Sequence, residues 1–178
     1  MDQLFAPWRI EWVEREDDDA DDDRCVFCSL PEDGTDREHR IVARSDHAFV
    51  LLNNYPYNPG HAMVIPYAHG GDYRSLDDEQ LLDHARLKQR TFDALETALS
   101  PAAFNVGLNL GGPAGGSIDD HLHTHVVPRW DGDTNFMPVV GDTKVLVEAI
   151  EDTYDRLHDA FAEQEGATVS DGGAVRLR

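Results

Sequence analysis

The stretch Asp119-Asp120-His121-Leu122-His123-Thr124-His125-Val126-Val127-Pro128 decides how this chain is read. Taken as a β-strand, its two-residue period places His121, His123 and His125 on one face and Leu122, Thr124 and Val126 on the other. A row of three imidazoles is poorly explained as packing, because histidine is polar and less readily buried than an aliphatic residue. The apolar partners can enter a core while the histidines face outward together. This strand is the candidate active site.

Two chemistries use such a row. Neighbouring imidazoles can ligate a catalytic metal. At the strand rise, however, the Cα atoms of His121 and His125 lie about 13 Å apart. An adjacent pair can share an ion, but all three on one ion would be strained. Alternatively the middle imidazole is a nucleophile whose neighbours hold its tautomer and bind an oxyanion. The preceding residues, Gly107-Leu108-Asn109-Leu110-Gly111-Gly112-Pro113-Ala114-Gly115-Gly116-Ser117-Ile118, carry five glycines and a proline. Successive N–H groups in a glycine-rich turn form a nest for anions such as phosphate. A nucleophilic imidazole beside a phosphate nest points to phosphoryl or nucleotidyl transfer.

These residues resemble the histidine-triad family. HLHTHVV fits its pattern of three histidines alternating with apolar positions, with Thr124 the less apolar exception. NNYPYNPGH over residues 53–61, AMVIP over 62–66, the glycine loop and Pro128-Arg129-Trp130 follow in the family's order, so the resemblance spans roughly residues 40–140. Leu4-Phe5-Ala6-Pro7-Trp8-Arg9, the loop ending Gly115-Gly116-Ser117, and PRWDGDTNF after the triad look most like the branch that cleaves diadenosine tetraphosphate by phosphorolysis. Many relatives carry Gln at the position of Gly116 and one residue fewer before the first triad histidine, a departure that bears on substrate contacts.

The chain of 178 residues suits one domain with a proper core. Its 35 acidic residues against 15 basic ones leave a formal charge of -20, and Lys88 and Lys144 are the only lysines. A nucleic-acid surface would need a basic footprint, and none is visible. The self-repulsion of so many carboxylates is screened near molar salt, so the composition reads as halophilic adaptation, with an acidic surface for a basic partner as the alternative. No apolar run approaches the length of a membrane span, and the N-terminus lacks a basic-then-apolar signal pattern. The expected location is cytoplasmic.

Cys25-Val26-Phe27-Cys28 holds both cysteines of the chain. In an intracellular protein such spacing reads as a metal clip or a redox pair. The following Ser29-Leu30-Pro31-Glu32-Asp33-Gly34 does not continue a helix as a redox motif would. Two thiolates need two further ligands to close a tetrahedral zinc site, and nine histidines offer candidates. The family resemblance selects His69, after the third strand, and His121, the first triad residue. His39, His47 and His61 remain open as substitutes. Such a zinc would be structural, pinning the N-terminal segment to the triad strand.

Three short strands are expected at Ile41–Arg44, Ala48–Asn53 and Ala62–Pro66, with a turn-rich link between the last two. Ser75 or Asp77 caps a helix running to about Leu99, whose apolar face is Leu81, Ala85, Phe92, Leu95 and Leu99. Phe104–Leu110 forms a fourth strand and the triad a fifth. A second helix is expected from Lys144 to about Glu163, with Leu146, Ile150, Tyr154, Leu157 and Phe161 on one side. Residues 166–178 are expected to be loose. The fold class is α+β: a mostly antiparallel five-stranded sheet with one long packed helix and a C-terminal helix. Residues 1–24 form an apolar arm and acidic loop, residues 25–140 the histidine-triad domain with its cysteine pair, and residues 141–178 the C-terminal helix and tail. The resemblance adds pairing into a homodimer.

The resemblance also implies a mechanism. His123 attacks the α-phosphorus of a nucleotide and forms a covalent nucleotidyl-histidine. His125 hydrogen-bonds the phosphate or leaving oxygen. Backbone N–H groups at Gly115, Gly116 and Ser117, with the Ser117 hydroxyl, stabilise the transition state. Asn109 reaches the phosphates, Asn53 the nucleoside sugar, and His61 supports the triad from the next strand. Without a basic cluster the anionic substrate is left to neutral donors and histidine, and a Mg²⁺ ion carried in by the nucleotide could help hold it. Water or inorganic phosphate then releases the nucleotide, and a non-catalytic nucleotide-binding module is the remaining alternative.

Overall fold

In the computed structural model, residues 24–32, 34–115, 118–133, 148–169 and 173–178 are described. Their elements run α1 (Val26–Ser29), β1 (Ile41–Arg44), β2 (Ala48–Leu52), β3 (Ala62–Pro66), α2 (Asp78–Leu99), β4 (Ala103–Gly107), β5 (Thr124–Arg129), α3 (Ile150–Ala162), β6 (Thr168–Val169) and β7 (Val175–Arg176). The arm and acidic loop, Gly116, Ser117, and the expected start of the second helix lie outside the described residues.

The sheet has seven strands in the order β4-β5-β3-β2-β1-β7-β6. All neighbours pair antiparallel except β1 and β7. The central strands β2 and β3 are buried along their whole length, so both faces of the sheet are covered. Their two-residue period sorts the side chains cleanly. Val50, Leu52, Ala62, Val64 and Val126 join a core with Leu87 and Leu95 of α2 and Leu157 and Phe161 of α3. Phe49, Leu51, Met63 and Ile65 point the other way, into a smaller core with Phe27 and Ala174. A bulge between Ile41 and Ala43 lets Ile41 join the second core and Ala43 the first. Burying one Leu or Phe of these cores stabilises the fold by about 1.5–3 kcal/mol.

Helix α2 is capped by Asp77, not Ser75. The Asp77 carboxylate accepts from the Gln80 N–H at 2.9 Å and the Gln80 side chain accepts from the Asp77 N–H at 3.1 Å, a reciprocal capping box. Its buried residues are His84, Leu87, Thr91, Ala94 and Leu95, whereas Ala85 is exposed. Leu95 of the expected face is buried and Phe92 and Leu99 pack against the core, so that face holds except at Ala85 and is widened to take in His84 and Thr91. The reason is that two polar residues are satisfied inside: His84 Nε2 lies 3.3 Å from the Val64 carbonyl, and Thr91 donates to the Leu87 carbonyl at 2.8 Å.

Three further expectations are corrected. Strand β4 ends at Gly107, so Leu108, Asn109 and Leu110 belong to the loop. Strand β5 begins only at Thr124, so His121 and His123 precede the ladder. The C-terminus is not loose but supplies the two extra strands. β7 lies parallel to β1, with Ala43 opposite Val175 and Arg44 opposite Arg176. Asp36 anchors it: its carboxylate accepts from the Ala174 N–H at 2.9 Å and from the Arg44 guanidinium. Val175 and Leu177 are buried as a result.

Candidate functional site

Two clusters meet on the sheet face opposite the helices. The first contains Cys25, Cys28, His69 and His121, whose ligand atoms all lie within 4.8 Å of one another. Cys25 caps the one-turn helix α1, and Cys28 sits in that turn. His121 Nδ1 lies 3.3 Å from Cys25 Sγ and 3.6 Å from Cys28 Sγ, and His69 Nδ1 lies 3.5 Å from Cys28 Sγ. Tetrahedral zinc with ordinary bond lengths would separate sulfur and nitrogen ligands by roughly 3.6 Å. The donor set and spacing fit that ion.

The protonation of the ligands fits as well. His121 Nε2 donates to the Pro66 carbonyl at 2.8 Å, leaving the Nδ1 lone pair toward the sulfurs. Burial pushes the His121 pKa below its ordinary value, favouring the neutral, ligating form. Burial, with Cys25 alongside, pushes the Cys28 thiol up to about 11, a cost that a cation between the sulfurs would relieve. Asp120 stands 3.8 Å from His69 Nε2 on the outer side.

The second cluster contains His61, His123 and His125. His123 Nδ1 donates to the His121 carbonyl at 2.8 Å, which leaves the lone pair on Nε2. His125 faces His123 edge-on, with ring centroids 5.0 Å apart. Its Nδ1 lies 2.9 Å from His61 Nε2. The direction of that contact is fixed upstream. The backbone N–H of Tyr57 can only donate, and it donates to His61 Nδ1 at 3.2 Å. A neutral His61 therefore carries its proton on Nε2 and donates to His125 Nδ1, which keeps the His125 proton on Nε2. The site thus pairs a lone pair on His123 Nε2 with a proton-bearing nitrogen at His125. Tyr57 stacks on His61 at 4.9 Å and restrains it further.

The interrupted strand explains how three imidazoles in one row serve two clusters. Leaving the ladder before Thr124 lets His121 turn to the cysteines while His123 and His125 remain side by side. Thr124 also finds its place: its hydroxyl lies 3.3 Å from both His84 Nε2 and the Tyr73 hydroxyl, on the helix side of β5. Gly107 stands across the ladder from His125, and its Cα has open space where a side chain would be.

Asn53 accepts from the Tyr55 N–H at 2.8 Å and borders a shallow pocket with Pro56, His61 and Ile150. Asn109 donates weakly to the Gly115 carbonyl at 3.5 Å, and the Gly115 N–H is directed to Gly112 at 3.1 Å. Phe27, Tyr57, Asn58 and Asp133 also touch this region, though periodicity does not single them out. Phe27 lies between the two cysteines in sequence, and its ring stands 5.2 Å from that of His123.

Residues 35–132, which carry both histidine clusters, match the HIT domain family. This chain belongs to the HIT family. The HIT protein is 37% identical to an AP-4-A phosphorylase of Mycobacterium tuberculosis over 169 residues, covering 92% of this chain and 86% of the relative. It is 31% identical to an adenosine 5'-monophosphoramidase of Saccharomyces cerevisiae, covering 62% of this chain and 65% of that one. Among solved structures, a zinc-bound histidine triad family protein of Mycobacterium smegmatis superposes with a TM-score of 0.62 at 26% identity, covering 78% of this chain and 94% of that one. The HIT protein is accordingly an enzyme of the transferase or hydrolase kind. No helix among its described residues is long and apolar enough to cross a membrane.

Proposed function

We propose that this HIT protein cleaves dinucleoside polyphosphates, such as diadenosine tetraphosphate, by phosphorolysis through a covalent intermediate on His123. The observation that carries the reading is the pairing of tautomers: a lone pair on His123 Nε2 beside a proton on His125 Nε2. His123 Nε2 attacks the α-phosphorus and the bond to the bridging oxygen breaks. His125 donates a hydrogen bond to that oxygen as it leaves with the remaining phosphates. Inorganic phosphate then attacks the same phosphorus, breaks the P–N bond and yields a nucleoside diphosphate. Likeness to the mycobacterial phosphorylase along nearly the whole chain supports phosphate as the acceptor.

Asn53 is assigned to the nucleoside, on the strength of its place beside the pocket at His61. Asn109, Gly115, Gly116 and Ser117 are assigned to the phosphates, and a Mg²⁺ ion would travel with the nucleotide. Zinc held by Cys25, Cys28, His69 and His121 would be structural, drawing α1 and Phe27 against the reacting histidines. The exposed edge strand β4, with Val106 open to solvent, is the flank offered for pairing into a homodimer. The acidic surface suits a salt-rich cytoplasm.

Likeness to the phosphoramidase supports a second reading, in which water is the acceptor and a nucleoside monophosphate is released. Purified protein in molar KCl, given diadenosine tetraphosphate with and without inorganic phosphate, separates the two. ADP plus ATP formed only with phosphate is the expected result. AMP plus ATP regardless of phosphate would establish the hydrolase. Equal inactivity of wild type and His123→Ala would overturn both for this substrate.

A further inference from the structure

The residues that set His61 and His125 are themselves held by a buried polar junction at the far end of β5. The turn carrying His61 is tight: the His61 N–H donates to the Asn58 carbonyl at 3.1 Å, while the Tyr57 N–H donates to the His61 ring. Gly60 completes it at φ +76, packed so closely that a Cβ there would fall 2.4 Å from a Leu99 methyl. Asn58 is 5% exposed. Its Nδ2 donates to the Pro128 carbonyl and to an Asp133 oxygen, both at 2.9 Å. Asp133 in turn accepts from Arg129 Nε at 2.6 Å, from Arg129 Nη2 at 2.8 Å and from the Trp130 N–H at 3.2 Å. Arg129 is fixed on its other side by donating to Asn105 of β4 at 2.6 Å.

We infer that Asp133 is a positioning residue for the His61–His125 pair, acting through Asn58. The Asn58 amide joins the turn that presents His61 to the end of β5, which carries His125, through the Pro128 carbonyl and, beyond it, through the Asp133 carboxylate that Arg129 and Trp130 hold. An Asn58 amide donates and cannot be satisfied by a second donor, so the junction needs an acceptor with several lone pairs. Arg129 beside it holds the Asp133 carboxyl well below the usual carboxylate range, so it stays an acceptor throughout the working pH. With the junction intact, the Tyr57 N–H stays aimed at His61 Nδ1 and His125 keeps its proton on Nε2. Without it, the turn relaxes and both rings sample the opposite tautomer, which presents a lone pair to the leaving oxygen. This role rests on His123 and His125 being the reacting pair.

The test uses Asp133→Asn in the full chain loaded with zinc, with ¹⁵N-resolved imidazole spectra of His61 and His125 and steady-state kinetics on diadenosine tetraphosphate. The expected result is mixed tautomers at both rings, with kcat lowered about tenfold or more and KM within about twofold, as for loss of a group that orients a reacting residue. Single wild-type tautomers with unchanged kcat, whatever the loss in Tm, would make Asp133 a structural brace and overturn the inference. A lowered kcat with unchanged tautomers would overturn it too. Asn58→Ser removes the turn's bonds to both Asp133 and Pro128 while leaving the Asp133–Arg129 pair in place, and unchanged tautomers in it would overturn the inference if Asp133→Asn does not fold. If the wild type does not turn over the dinucleotide, the substrate reading fails, while the tautomer spectra still decide the role of Asp133.

Discussion

The Nδ1–H of His123 donates to the backbone carbonyl of His121 at 2.8 Å, and His121 is the residue whose own ring nitrogen faces both cysteine sulfurs. Whatever fixes the His121 ring therefore fixes the group that orients the proposed nucleophile. Removing zinc with a chelator, or replacing Cys25 by Ser, should lower kcat about 10- to 100-fold, the usual cost of disturbing such orienting contacts. Zinc content, Tm and kcat measured on the same samples check this. Full activity in metal-free protein would sink the idea.

The interior of the fold contains a titrating group on the helix side of β5, behind Thr124. Burial holds the His84 pKa below its ordinary 6.5. The folded state keeps this imidazole neutral, while the unfolded chain protonates it as pH falls through 6.5. The unfolded state then binds more protons, so the contribution of His84 is complete above about pH 6.5 and is lost progressively below it. His84→Gln should lower stability at pH 7.5 by about 1 kcal/mol for weakened contacts to Val64 and Thr124. The gap between wild type and variant should narrow as pH drops to 5. Denaturant titrations of both proteins at several pH values give the answer, and a constant gap would rule the assignment out.

The C-terminal strand is predicted to matter for stability. Leu177 is 2% exposed, and its N–H donates to the Arg44 carbonyl at 2.8 Å. Leu177→Ala should cost about 2–5 kcal/mol. A Tm indistinguishable from wild type would show that the tail does not hold its place on β1.

Salt should stabilise this protein. With a formal charge of -20, raising KCl from 0.1 M to 2 M shortens the screening length from about 10 Å to a few ångströms and weakens carboxylate repulsion. Tm measured across that range should rise. A flat or falling profile would remove the reading of the composition as salt adaptation.

Much of the fold is legible in the residues. The strands β2 and β3, a helix start near Ser75 or Asp77, and the histidine row are local patterns with short-range causes, so they can be read without a structure; the reciprocal bond between Asp77 and Gln80 chooses between the two caps. Apolar periodicity finds Phe92, Leu95 and Leu99 on the core side of α2 but misses His84 and Thr91, because they are polar and only their partners inside the fold make them core residues. It misses the tail because a two-residue strand has no period of its own. That strand is ordered by β1 and by Asp36, 138 positions earlier in the chain than its partner Ala174.

The same division runs through the site. The residues alone tell which side chains are present, that His123 and His125 share a face, and that two cysteines seek further ligands. Folding adds that His121 leaves the row for sulfur atoms that include one 96 positions away, and that Tyr57 and His61 set the proton on His125. Side-chain identity and strand period are properties of neighbouring residues. The tautomer of an imidazole belongs to whichever donor or acceptor the fold brings against each of its nitrogens.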